Sequence, residues 1–89
     1  MLAVHTYTSG VTRATLTASL WREEDGYVSF CPELGVASAG DTADDALAML
    51  KEAVELYLEN AKRLGIWEDI RPALEAVQRF TAPLEVALP

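Results

Sequence analysis

Residues 12–31 read TRATLTASLWREEDGYVSFC, and the fold depends on how this stretch turns back on itself. Ala14, Leu16, Ala18 and Leu20 alternate with Arg13, Thr15, Thr17 and Ser19, the period of a strand with one face buried. Val28 and Phe30 continue that alternation beyond a turn. A two-residue loop at Asp25-Gly26 would set Leu20 opposite Cys31 and Val28 opposite Glu23. A three-residue loop, Glu24-Asp25-Gly26, instead pairs Leu20 with Phe30 on the buried face. It also gives Gly26 the left-handed position of a type I turn with a G1 bulge. The three-residue loop is therefore expected, and a slip of one residue would turn the apolar set outward. In this register Trp21, Tyr27 and Cys31 share the opposite face with Ser19 and Ser29. Aromatics on such a face are covered by the N-terminal arm or a symmetry mate, or they bind something.

Residues 1–11 show no usable period and read as an N-terminal arm. Downstream of the hairpin, Pro32 to Gly35 reads as a bend and Val36 to Ala39 as a short strand. Gly40-Asp41-Thr42 then opens a long helix. Thr42 can cap it, Asp44 and Asp45 suit the positive end of the helix dipole, and Gly65 is a left-handed terminator. Leu47, Leu50, Val54, Tyr57, Ala61 and Leu64 recur at helical spacing. The charged residues Asp44, Asp45, Lys51, Glu52, Glu55, Glu59, Lys62 and Arg63 crowd into an arc of roughly 120°, the solvated side. The apolar arc, about 200° wide, exceeds what one sheet face can bury. Its Met49–Leu56 edge is expected to pack against the C-terminal segment or a second chain.

Ile66 and Trp67 can dock back on the helix end. Pro72 fits the first turn of a short second helix carrying Ala73, Leu74 and Val77. Leu84, Val86 and Leu88 alternate with Glu85 and Ala87 as a last strand, which Pro83 confines to a sheet edge, its start or a bulge. The expectation is a single α+β domain over residues 1–89. Three antiparallel strands and a long right-handed crossover helix would place the fourth strand beside the first and parallel to it.

The run Asp25-Gly26-Tyr27-Val28-Ser29-Phe30-Cys31-Pro32-Glu33-Leu34, then Gly40-Asp41-Thr42 and the helix Ala46 to Glu59, resembles the HicB family of antitoxins. That resemblance implies a degenerate ribonuclease-H-like fold. It also implies that the chain neutralises a small basic ribonuclease toxin, HicA, by covering its active site. Residues 66–89 are too few and wrongly patterned for the helix-turn-helix or ribbon-helix-helix module of longer family members, so no direct nucleic-acid binding is expected.

Charge agrees with a protein partner. A formal net charge of −7 opposes binding to phosphate backbones and suits a basic protein. The acidic hairpin tip (Glu23, Glu24, Asp25), the Trp21–Tyr27 face and the Glu33-Leu34 bend are the expected contacts. Catalysis is not expected. The first strand carries no carboxylate where a two-metal nuclease would need one, His5 is the only histidine, and Cys31 has no nearby cation to activate it. No cofactor or metal is expected. Lacking an apolar span or a secretory leader, the chain is expected to be cytoplasmic. The alternative function is a structural or regulatory homo-oligomer without a toxin, and a homodimer or higher homo-oligomer is expected in either case.

Overall fold

A computed structural model describes residues 13–76 and 79–89. Three strands, β1 (Ser19–Glu23), β2 (Gly26–Cys31) and β3 (Val36–Gly40), form an antiparallel sheet in that order. The long helix α1 (Ala43–Leu64) and the short helix α2 (Trp67–Glu75) follow. The N-terminal arm, Thr12 and Val77 lie outside the described residues.

The local signals at the ends of α1 act as read. Thr42 is extended and its hydroxyl accepts the Asp45 amide at 3.0 Å, satisfying one orphan donor of the first turn. Gly65 is left-handed at φ 77°, a conformation that burdens any residue with a Cβ. The Ile66 amide returns to the Ala61 carbonyl at 3.0 Å, and Lys62 sits 4.8 Å from the centre of the Trp67 ring. This closure carries the chain directly into α2. That helix begins at Trp67, so Pro72 lies inside it and not in its first turn.

The hairpin differs from its expected register. Leu20 pairs with Ser29 and Trp21 with Val28, so the loop is the two residues Glu24-Asp25. Glu24, not Gly26, takes the left-handed conformation, at φ 52°. β1 is also shorter than the alternating run, and residues 13–18 are irregular.

This register inverts the β2 face. Leu16 and Ala18 do pack toward the core, but their side of the sheet continues through Ser29 and Cys31, not Val28 and Phe30. The reason is close approach. A Cβ on Gly40 would lie 2.5 Å from the Ala46 amide nitrogen, so α1 starts almost in backbone contact with β3. Only small side chains fit beneath it. Ser29 is fully buried and its hydroxyl donates to the Ala46 carbonyl at 2.9 Å. Cys31 joins Leu50 and Val54 as the core cluster, with Leu34, Val36 and Leu58 packed around it. Cys31 is therefore a core residue, not part of an outer aromatic face. Trp21, Val28, Phe30, Ala37 and Ala39 share the side turned away from α1.

The expected fourth strand is not formed. Residues 79–89 take no regular structure, and Leu84, Val86 and Leu88 stand 85%, 69% and 85% exposed. Alternation alone does not make a strand; a paired edge is needed as well.

Candidate functional site

The residues expected to bind a partner separate into three places. Trp21, Glu23, Glu24 and Asp25 gather at the hairpin tip. The Trp21 indole donates to the Glu23 carboxylate at 3.3 Å, and both side chains project from the face turned away from α1. Tyr27 pairs with Arg22 and is half-buried on the α1 side, so it does not extend that patch.

Glu33 and Leu34 lie at the far end of β2, and Leu34 packs on the core. The Glu33 carboxylate is held inside the fold, its side chain 7% exposed. It accepts from the Thr17 amide at 3.0 Å and the Thr17 hydroxyl at 2.5 Å, and it pairs with Arg79 at 2.9 Å. The Cys31 thiol donates to it at 3.4 Å. Burial works to raise the Glu33 pKa, but the hydrogen bonds from Thr17, the Glu33 amide and the Cys31 thiol together outweigh it and hold the carboxyl below its ordinary range. Burial pushes the Cys31 thiol up, and the hydrogen bond and charge of Glu33 add to that. The cluster is thus a closed knot of an ionised carboxylate and a protonated thiol. Both carboxylate oxygens of Glu33 are engaged within the fold.

Met49 and Leu56, expected to pack against the C-terminal segment or a second chain, line an open groove between β3 and α1 of the single chain. They are 45% and 56% exposed, and neither α2 nor residues 79–89 reach them. The groove measures about 460 Å³ and is also lined by Ser38, Ala53, Glu52, Glu55 and Glu59. Its position follows from α1. The helix buries Ala46, Leu50, Val54 and Ala61, so the residues one step around the wheel overhang the outer edge of β3. Apolar side chains form the floor and glutamates form the rim. Lys51 pairs with Glu55 at 2.9 Å, both exposed, while Glu52 and Glu59 make no ion pair among the described residues. By periodicity alone all three glutamates belong to the solvated arc of the helix. The missed signal was their adjacency on the wheel to Met49 and Leu56.

Three features matter for binding here. An apolar floor offers desolvation, an acidic rim offers attraction for cations, and the edge of β3 offers unpaired backbone groups.

Residues 8–71 match the model of a family of unknown function, DUF7387. A UPF0150 protein of Synechocystis sp. is 44% identical over 70 residues, covering 74% of this chain and 90% of its own. A UPF0150 protein of Helicobacter pylori is 34% identical over 73 residues, covering 81% and 94% respectively. No solved structure matches the chain significantly.

Proposed function

The chain belongs to the DUF7387 family of unknown function and is a relative of the UPF0150 proteins, and from that premise we propose that it is a non-catalytic binding domain for a small basic protein. The observation that carries this reading is the groove of Met49, Ala53 and Leu56 rimmed by Glu52, Glu55 and Glu59. Stable recognition combines an apolar anchor that excludes water with surrounding charges that steer and select. A chain of net charge −7 would draw a cationic partner over distance, and the rim would hold it at the apolar floor. The HicB-like motifs, from Asp25-Gly26-Tyr27-Val28 through Cys31-Pro32-Glu33-Leu34, narrow the partner to a small basic ribonuclease. The domain would then act as an antitoxin, occluding the enzyme's RNA-binding surface, in a ribonuclease-H-like family of folds.

Co-expression with any small basic protein encoded beside its gene is the test. A stable complex that blocks RNA cleavage is expected. Leu56→Asp with Glu59→Lys should weaken it by at least roughly tenfold, because a hot-spot side chain and a rim charge are both removed. Trp21→Ala with Glu24→Lys, at the hairpin tip, should leave affinity near the parent value. The reverse pattern would move the contact to the hairpin, and no complex with any neighbouring basic protein would remove the antitoxin reading.

A further inference from the structure

The β3 side of the groove asks more of an occupant than positive charge and an apolar side chain. β3 pairs with β2 on one side only, and alternate residues of such a strand turn their N–H and C=O groups outward. No backbone–backbone bond outside the sheet involves Val36–Gly40 among the described residues, so this edge is open. Ser38 faces α1, because it pairs with Ser29, whose hydroxyl bonds Ala46. Ser38 also lines the groove beside Met49 and Leu56, so floor and edge form one surface.

A body that covers this floor also takes the edge groups of β3 out of water. Backbone groups removed from water without a partner oppose binding. A helix spends its own donors and acceptors internally and would leave those of β3 unmet. An extended segment supplies both kinds of group at the repeat of the sheet, adding a fourth strand beside β3.

Such a strand turns every second side chain toward α1, about 6.8 Å from the next. Three of them span about 14 Å, against about 10.5 Å along α1 between Glu52 and Glu59. The middle side chain meets the apolar floor, and the outer two need length and positive charge to reach the two glutamates. Glu52 and Glu59 make no ion pair among the described residues, whereas Glu55 is held by Lys51. The chain's own residues do not supply this pattern. No two of its seven Lys and Arg stand two or four residues apart, and residues 80–89 carry Glu85 and no base. Neither its tail nor a second copy answers the glutamates, so charge complementarity selects a different protein.

Resting on the groove reading proposed above, we infer that the basic partner docks by adding an edge strand to β3. Five residues of that strand carry Lys or Arg at the first and last positions and an apolar residue at the centre. The backbone ladder holds the strand, the apolar side chain fills the floor, and the two bases fix its register against Glu52 and Glu59.

The test is an NMR titration of the full chain at low salt with the synthetic peptide acetyl-Thr-Lys-Thr-Val-Thr-Lys-Thr-amide. Shifts centred on residues 36–40, with slowed exchange of their outward amides, are expected. N-methylating one alternate set of peptide amides should weaken binding at least about tenfold, while the other set should tolerate it, because only one set faces β3. Glu52→Gln with Glu59→Gln should weaken the parent peptide by a similar factor. No binding at millimolar peptide would overturn the inference, as would shifts confined to the hairpin or an equal response to the two methylated sets. Equal binding of a peptide with the same composition and its two lysines adjacent would overturn it too. The two readings fail separately. If the peptide binds as a strand but no neighbouring basic protein forms a complex, strand addition stands and the antitoxin role falls. If a complex needs Leu56 and Glu59 yet leaves the β3 amides exchanging freely, the groove stands and strand addition is overturned.

Discussion

Glu33 is a side chain whose removal should cost far more than a bend residue usually does. Glu33→Ala deletes a nearly buried carboxylate that accepts from the Thr17 amide and hydroxyl, pairs with Arg79 and receives the Cys31 thiol. Hydrogen bonds to charged groups are worth about 1.5–3 kcal/mol each, and breaking a buried ion pair costs about 3–5 kcal/mol. The contributions overlap, and Arg79 is 24% exposed, so water recovers part of its loss. About 3 kcal/mol is the resulting expectation, a large share of the roughly 5–10 kcal/mol that holds a domain this size. In urea, with a slope near 1 kcal/mol/M for a small domain, the midpoint should fall by about 3 M. Glu33→Gln keeps the shape and one acceptor oxygen and should lose about half as much. Acid adds a second reading. Because the folded-state pKa of Glu33 is depressed, its contribution is complete above the ordinary carboxylate range and drains away as pH falls through and below it. Glu33→Gln should flatten that part of the acid unfolding curve. A change within about 0.5 kcal/mol for Glu33→Ala, the size of an ordinary surface substitution, would refute the reasoning, as would an acid slope unchanged in Glu33→Gln.

Leu50 is buried against Cys31 and Val54, so Leu50→Ala should cost about 2–5 kcal/mol by urea unfolding, whereas Leu56→Ala in the open groove should cost under about 0.5 kcal/mol. The Cys31 thiol, buried and raised in pKa, should alkylate with iodoacetamide only as fast as the fold opens; a rate matching a free thiol would contradict its place in the core.

The parts of the fold that were legible in the sequence are those fixed by neighbours along the chain. Thr42, Asp44, Asp45 and Gly65 bound α1 because caps and dipole interactions act within one turn. The inward side of Leu16 and Ala18 was legible for the same reason, being a matter of period. The hairpin register was not, because it depends on how closely α1 can approach. Gly40, Ser29 and Ala46 admit the helix backbone, and that contact outweighs the larger apolar area of Val28 and Phe30. Nothing in residues 12–31 taken alone announces it. The Glu33–Arg79 pair joins residues from opposite ends of the chain and gives no local pattern. Alternation in Leu84, Val86 and Leu88 was visible, but pairing is decided by which edge is within reach. The groove was half legible: Met49 and Leu56 stood out as surplus apolar surface, while the glutamates beside them were read as solvent-facing only.

The two edges of the sheet are guarded by acids in different ways. β3, Val36–Gly40, is built from Val, Ala, Ser, Ala and Gly, with no charge of its own to discourage another strand. An edge of that kind invites pairing between copies. Here the discouragement comes from the neighbouring helix, since Glu52, Glu55 and Glu59 line the groove along that edge. Two copies meeting there would bring six glutamates together, with Lys51 offsetting only one per chain. Like charges so placed oppose pairing and favour a cationic occupant at the same spot. β1 carries its own guard at the hairpin end, where Glu23, Glu24 and Asp25 follow one another. On the proposed reading, the charge pattern that closes β3 to a second copy would open it to a basic protein.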